Sequence, residues 1–221
     1  RDGCGWHNPK GVGIRTTGEM DSETKFAEFP WMCAILSSVP VDENEPDSTK
    51  LNIYIGGGSL IHPSVVLTAA HIVASTEWSL RVRAGEWDTR TIKEPYPYQE
   101  RDVARSEMHK DFNNGNLFYD ISLLFLSEPM DLAPNVQLAC LPPPRVKPAA
   151  GTRCFANGWG KNRFGKTGRY QVILKKVELP VVDYYTCQEK LRKTRLGAFF
   201  ELHSSFMCAG GEKDRDTCKG D

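Results

Sequence analysis

Seven short apolar runs, each about the length of a β-strand, restrict the fold of this 221-residue chain more than any other feature. Turn-forming residues separate most of the runs, and the chain holds 19 Gly and 14 Pro. Short strands at such spacing are typical of an all-β barrel or sandwich. The runs are Trp31–Leu36, Leu51–Ile55, Ser59–Ile61, Val65–Thr68, Leu80–Ala84, Ile121–Leu126 and Val172–Leu179. Two helices are also predicted, at Ala69–Ala74 and at Val182–Leu191, where Asp183 can cap the N-terminus.

The charge balance and the cysteines limit the class of protein. Lys and Arg total 28, as do Asp and Glu, whereas a nucleic-acid-binding protein normally carries a basic excess. No apolar run reaches the roughly 18 residues of a membrane span. Seven cysteines are spread along the chain without a CxxC pair. This spacing favours disulfides in an oxidising, extracellular compartment over a zinc site; buried thiols in a cytosolic protein are the alternative.

One histidine and one aspartate carry the first functional signal. His71 ends an apolar run where a short helical turn begins, and Asp120 stands directly before the apolar stretch that starts at Ile121. A carboxylate at the edge of a buried strand needs a hydrogen-bond partner. A histidine Nδ1–H can supply one, and such a pair is the orienting half of a nucleophilic triad. A purely structural role for His71 is the alternative.

Seven ordered motifs extend this signal along nearly the whole chain. They are Phe29-Pro30-Trp31, Gly57-Gly58-Ser59-Leu60-Ile61, Leu67-Thr68-Ala69-Ala70-His71, Asp120-Ile121-Ser122-Leu123-Leu124, Gly158-Trp159-Gly160, Met207-Cys208-Ala209-Gly210 and Asp216-Thr217-Cys218-Lys219-Gly220-Asp221. In this order they resemble the chymotrypsin-type serine protease domain. The resemblance implies an all-β fold of two six-stranded barrels with the active site between them. We expect a light segment at 1–25, a protease-like domain at 26–221, and a second barrel that is incomplete within this chain.

The resemblance also assigns roles to individual residues. His71 would be the general base and Asp120 its orienting carboxylate, and the nucleophile would follow Asp221. Gly220 would supply an N–H to the oxyanion hole. Asp216 would lie at the floor of the specificity pocket, where a carboxylate selects Arg or Lys; a solvated loop acid is the alternative for this residue.

The cysteine pairing that the family implies divides the seven residues into three groups. Two disulfides would form within the chain, Cys4–Cys140 and Cys187–Cys208. Cys154 and Cys218 would pair with cysteines beyond residue 221. Cys33 has no family counterpart.

Two features depart from an active family member. Active members expose an Ile/Val-Val/Ile-Gly-Gly terminus after a cut behind a basic residue, and its ammonium pairs with the acid before the nucleophile, here Asp221. A cut after Arg15 would expose Thr16 instead, so Asp221 would lack its partner and the oxyanion hole would be poorly ordered. The cystine that normally staples the histidine loop is also missing, because Gly56 and Ile72 stand at its two positions.

These departures resemble a subgroup, the arthropod clip-domain serine protease homologues of the prophenoloxidase-activating-factor and masquerade-like kind. The matching runs are Cys4–Gly18, Lys25–Trp31, Gly85–Thr89 and Tyr98–Asp102. The resemblance implies secretion into haemolymph, an upstream clip domain, processing by an upstream protease, and no required cofactor. The expected partners are prophenoloxidase and its activating protease, and a homo-oligomer is a further expectation.

Three functions compete on the sequence alone. The first is a secreted pseudoprotease that acts by binding, and the second is an active trypsin-like endopeptidase, which needs a Ser after Asp221. The third is a passive structural module with the same fold. Charged segments at Val39–Lys50, Lys161–Lys176 and Lys190–Arg195 are candidate binding surfaces, with plain solvated faces as the alternative.

A calcium site is one further hypothesis. Glu86 opens a loop that binds calcium in some relatives, and other carboxylates nearby in sequence could add oxygen ligands. These are Asp88, Glu94 and Glu100.

Overall fold

The computed structural model describes residues 3–13, 22–42, 49–160, 170–213, 215 and 217. Strands and short connections dominate this part of the chain. In chain order the elements are β1 (Met32–Pro40), β2 (Lys50–His62), β3 (Val65–Thr68), α1 (Ala70–Ala74), β4 (Leu80–Ala84), β5 (Gln99–Met108), β6 (Ser122–Leu126), β7 (Arg153–Gly158), β8 (Lys175–Val182), α2 (Tyr184–Arg192) and β9 (Cys208–Ala209).

The first six strands form a closed barrel, with the neighbour order β1-β2-β3-β6-β5-β4. All of its strand pairs are antiparallel. The remaining strands form a second, partial sheet in the order β7-β8-β9. The predicted all-β fold is thereby confirmed: the described part of the chain forms one closed six-stranded barrel and a second, partial sheet.

The strand predictions differ from the structure at several elements: β5, β7 and β9 were not predicted, and β8 begins three residues later than the predicted run Val172–Leu179. The runs Leu51–Ile55 and Ser59–Ile61 are one strand, β2, which continues through Gly56-Gly57-Gly58. The polar strand β5 was missed because most of its residues are exposed or only partly buried, although it pairs with both β4 and β6. The capping prediction was correct, since Asp183 Oδ1 accepts the Thr186 N–H at 3.0 Å.

Buried apolar side chains form one cluster inside the barrel and another between the barrel and the second sheet. The first fills the barrel, where Ile35, Leu60 and Val66 are fully buried. The second contains Phe29, Met32, Ala34, Leu36, Trp159 and Leu174 and joins β1 to the segments that flank β7 and β8. Burial of such large side chains contributes about 1.5–3 kcal/mol each, so the two halves pack as one body along this seam.

None of the helices in the described part of the chain is long and apolar enough to span a membrane.

Candidate functional site

The antiparallel pairing of β3 and β6 brings His71 and Asp120 together. Thr68, the last residue of β3, lies opposite Ser122, the first residue of β6. His71 follows β3 on α1, and Asp120 directly precedes β6. Asp120 Oδ2 lies 2.6 Å from His71 Nδ1, and Asp120 Oδ1 accepts the backbone N–H of His71 at 2.7 Å. Both carboxylate oxygens therefore hold the residue that carries the imidazole.

This pair has the geometry of a histidine that is oriented by a carboxylate. An ionised carboxylate only accepts, so a proton on His71 Nδ1 satisfies the 2.6 Å contact. Nε2 then keeps a lone pair, as a general base requires. The His71 side chain is 50% exposed and that of Asp120 is 17% exposed, so the imidazole faces solvent while the carboxylate is shielded. The catalytic role given to this pair by the resemblance stays a prediction.

The turn before Asp120 has an unusual backbone conformation. Leu117 and Tyr119 have φ values of 60° and 53°, in the left-handed region that residues other than glycine rarely adopt. The Leu117 N–H donates to the Asn113 carbonyl at 2.7 Å, and the Asn113 N–H donates to the Phe118 carbonyl at 3.1 Å. Such conformations persist only where the surroundings hold them.

Side chains from two other segments hold this turn in place. His109 stacks on Tyr119 with ring centroids 4.7 Å apart, and His203 stacks on Phe118 at 3.8 Å. The Ser205 hydroxyl accepts the backbone N–H of Tyr119 at 3.1 Å. These contacts were not predicted from the sequence, because Tyr119 and Ser205 are 86 positions apart and no local pattern marks a contact of that range.

An isoleucine replaces the missing cystine of the histidine loop. Ile72 directly follows His71 on α1 and is 9% exposed. A Cβ placed on Gly56 would lie only 2.4 Å from Ile72 Cδ1. The absence of a side chain on Gly56 therefore makes the space that Ile72 fills, and apolar packing joins α1 to β2 at this point.

The proposed calcium ligands are engaged by protein donors instead. Arg83 bridges two of them, with Nη1 lying 2.9 Å from Glu86 Oε2 and Nη2 lying 2.7 Å from Glu100 Oε1. Glu94 Oε1 accepts the Asp88 backbone N–H at 2.8 Å. In the part of the chain that the structure describes, no three His, Cys, Asp or Glu side chains are arranged to hold a metal ion.

The same loop contains two carboxyl groups with opposite pKa shifts. Burial, together with repulsion from Glu86 and Asp88, raises the pKa of Glu94 to about 7, although two backbone N–H groups partly oppose the shift. The pKa of Asp88 is lowered, chiefly by the side-chain hydrogen bond from Arg90. Glu94 therefore titrates near neutral pH, unlike an ordinary carboxyl group.

Among the described residues two disulfides are formed, Cys4–Cys140 and Cys187–Cys208, which are the two pairs that the family implies. Cys33 is fully buried on β1, and burial raises the pKa of its thiol to about 12. Such a thiol is inert at neutral pH. Cys154 is partly buried and has no disulfide partner among the described residues.

Much of the predicted basic surface is neutralised where it is described. Lys175 Nζ lies 2.7 Å from Glu23 Oε1, and Lys176 Nζ lies 2.7 Å from Glu28 Oε1. On α2, Arg192 pairs with Glu189 at 2.8 Å. These contacts favour the solvated or paired interpretation for the described part of both basic segments.

Several predicted residues lie outside the described part of the chain. They are Asp216, Gly220, Asp221, Cys218, Arg15 and Thr16, together with 43–48, which is half of the segment Val39–Lys50, and 161–169, which is more than half of Lys161–Lys176. Their assigned roles stay predictions.

Comparison with known proteins places these observations in a family. The trypsin family model matches residues 21–221. Phenoloxidase-activating factor 2 of Galleria mellonella is 69% identical over 221 residues, which is 100% of this chain and 73% of that protein. Inactive CLIP domain-containing serine proteases A8 and A28 of Anopheles gambiae are 39% and 38% identical over 99% of this chain, which spans 58% and 54% of their lengths. Together with the barrel and the His71–Asp120 pair, these matches show that the chain belongs to the trypsin family.

Proposed function

We propose that this chain is the protease-like part of a secreted serine protease homologue that acts by binding, without catalysis, in the activation of prophenoloxidase. The observation that carries the proposal is the 69% identity, along the whole chain, to a protein named phenoloxidase-activating factor 2. Further relatives are named inactive serine proteases. The two disulfides support an extracellular location.

The proposed inactivity does not depend on loss of His71 or Asp120. Their hydrogen bonds are short and complete, so the pair is retained as a structural element that joins β6 to α1. Removal of His71 would leave the shielded carboxylate of Asp120 without this partner and would lower the free energy of unfolding of the protein. Inactivity is instead assigned to the oxyanion hole, because no apolar terminus follows Arg15 to order Asp221.

The proposed partners are prophenoloxidase and its activating protease, with an upstream protease that processes the homologue. A homo-oligomer is part of the same proposal. The partner assignments rest on the names of these relatives and on the motif resemblance.

An active trypsin-like endopeptidase of the same cascade is the second candidate. The intact geometry of His71 and Asp120 favours it, since an oriented imidazole is half of the required machinery. This candidate requires a serine after Asp221 and another way to order the oxyanion hole.

One variant separates the two candidates. The variant is His71→Gln, whose side-chain amide can still donate a hydrogen bond to Asp120. Wild type and variant are each prepared as the full-length protein that contains this chain. After processing, each is mixed with prophenoloxidase and its activating protease. We expect both to raise phenoloxidase activity equally and neither to react with a fluorophosphonate probe for catalytic serines. Loss of cofactor activity in His71→Gln, together with labelling of the wild type, would establish the endopeptidase.

A further inference from the structure

We propose that Asn114 is a site of spontaneous deamidation, in the turn that leads to Asp120. The chain contains two Asn-Gly pairs, Asn114-Gly115 and Asn157-Gly158. Glycine after asparagine favours the reaction because the following backbone nitrogen meets no side chain as it approaches the amide. The structure places the two pairs in opposite environments, and this contrast carries the proposal.

The chemistry needs only water. The backbone nitrogen of Gly115 attacks the side-chain carbon of the Asn114 amide, a new C–N bond forms, and ammonia leaves with the proton of that nitrogen. Water then adds to either carbonyl of the cyclic imide and opens the ring. The products are aspartate or isoaspartate, so one water enters and one ammonia leaves without an oxidant or a cofactor.

Asn114 is open to this reaction. The residue is exposed and lies outside any strand, and no hydrogen bond to its side chain is formed within the described part of the chain. A Cβ on Gly115 would meet only Asn113 Oδ1, at 3.2 Å, so the space on that side of Gly115 is otherwise open. The Gly115 N–H donates to Asn113 Oδ1 at 2.8 Å. This bond must open first, and an exposed bond opens at low net cost because water replaces it.

Asn157 is closed to the same reaction. It lies within β7, directly opposite Lys176 of β8, and its Nδ2 atom is buried. Attack by the Gly158 nitrogen requires the β7–β8 ladder to open locally. An opening free energy of about 1.4 kcal/mol already slows a reaction about tenfold, so we expect Asn114 to convert at least about tenfold faster.

Deamidation of Asn114 would change the backbone of a turn that already contains two residues in the left-handed conformation. Deamidation replaces a neutral amide with a carboxylate, and isoaspartate adds the side-chain methylene to the main chain. The modified residue lies within the turn whose Leu117 and Tyr119 have left-handed backbones, directly ahead of Asp120.

The test compares the two sites within one protein. The folded full chain is incubated at mildly alkaline pH, and peptide mapping by mass spectrometry follows amide-to-acid conversion and isoaspartate at each asparagine. The same measurement on the denatured chain should give similar rates at both sites, which shows that both pairs are chemically competent. In the folded protein we expect conversion at Asn114 and little at Asn157.

Gly115→Ala is the matched variant. Gly115 does not have a left-handed φ, and the new Cβ would face only the end of a flexible side chain, so we expect this variant to fold. The Cβ hinders the attacking nitrogen, and conversion at Asn114 should fall to the level of Asn157. Equal rates at both sites in the folded protein, or an unchanged rate in Gly115→Ala, would overturn the proposal.

Discussion

Tyr119 donates its backbone N–H to the hydroxyl of Ser205, 3.1 Å away. The bond joins the turn before Asp120, which belongs to the barrel, to the loop that precedes β9 in the second sheet. His203 strengthens this connection, since its Nδ1 lies 2.9 Å from the same hydroxyl while its ring stacks on Phe118. The position of Asp120 therefore depends on residues from both halves of the molecule.

Ser205→Ala should loosen the turn before Asp120. The variant removes the contacts of the hydroxyl with both the Tyr119 N–H and His203 Nδ1, and the loss of two exposed hydrogen bonds predicts a decrease of about 1–2 kcal/mol in the free energy of unfolding. The low-field NMR signal of the His71 Nδ1 proton should weaken, because it reports on the bond to Asp120. Ser204→Ala is the control, since among the described residues the Tyr119 N–H donates to Ser205 and not to this exposed neighbour; an equal change in both variants would contradict the assignment.

Gly56→Ala should destabilise the protein through a clash with Ile72. The new Cβ would lie 2.4 Å from Ile72 Cδ1, and overpacking of this kind lowers the free energy of unfolding by about 1–3 kcal/mol. Urea denaturation of the variant measures the loss.

Ile72→Val supplies the control for that clash, because it removes Cδ1. Alone it should lower the free energy of unfolding by about 1 kcal/mol. Combined with Gly56→Ala, the loss should be smaller than the sum of the two, with a coupling of about 1 kcal/mol. Strict additivity would show that the two positions do not contact each other.

Lys176→Met should be far more damaging than Lys175→Met, although the two lysines are adjacent. Lys176 pairs with Glu28, whose side chain is 3% exposed, whereas Lys175 pairs with Glu23, which is 20% exposed. Without Lys176, Glu28 keeps the Lys25 backbone N–H at 2.8 Å and His7 Nε2 at 3.5 Å. We therefore expect the free energy of unfolding to fall by about 3 kcal/mol, the lower end of the range for a broken buried pair. The more exposed pair should contribute about 1 kcal/mol or less. The urea midpoints of the two variants measure the two losses of stability. Equal midpoints would contradict the expectation that Lys176→Met is the more damaging change.

Stability should fall as pH rises through neutrality because of Glu94. Its folded-state pKa of about 7 lies above its ordinary value of 4.5, so the folded state holds a proton that the unfolded state has released. This contribution is complete below the unfolded pKa and is lost as pH rises through the folded one. Glu94→Gln should therefore gain stability relative to wild type between about pH 5 and about pH 8.

The control for this pH dependence is the same comparison above about pH 8, where the contribution of Glu94 is fully lost and the difference between Glu94→Gln and wild type should stay constant. A constant difference over the whole range from about pH 5 upward would show that the carboxyl group of Glu94 is ionised in the folded state throughout.

The local sequence pattern was sufficient to predict strands that have one apolar face and a helix that begins with a capping residue. The barrel strands β3, β4 and β6 were predicted within one residue, and Asp183 was identified as a helix cap. Strand β5 could not be found this way, because its pairing with β4 and β6, rather than burial of its own side chains, makes it a strand. Tertiary context decides such segments.

In the candidate site, too, residues in local motifs were predicted from the sequence, and residues that depend on distant contacts were not. His71 and Asp120 were predicted from motifs, and their contact follows from the β3–β6 register. Ser205 and His203 were not predicted, because their contacts with the 118–119 turn depend on how two distant loops pack. The carboxylates proposed as calcium ligands could not be distinguished by sequence from partners of Arg83, since both roles need the same side chains.

The disulfide between Cys4 and Cys140, which are 136 positions apart in the sequence, closes a covalent ring that includes the segment 14–21. Hydrolysis of any single peptide bond in that segment opens the ring without separating its pieces. Electrophoresis would show one band until a reductant is added and two bands afterwards. Whatever lies upstream of Cys4 would thus remain attached to the barrel after processing, for as long as the surroundings stay oxidising.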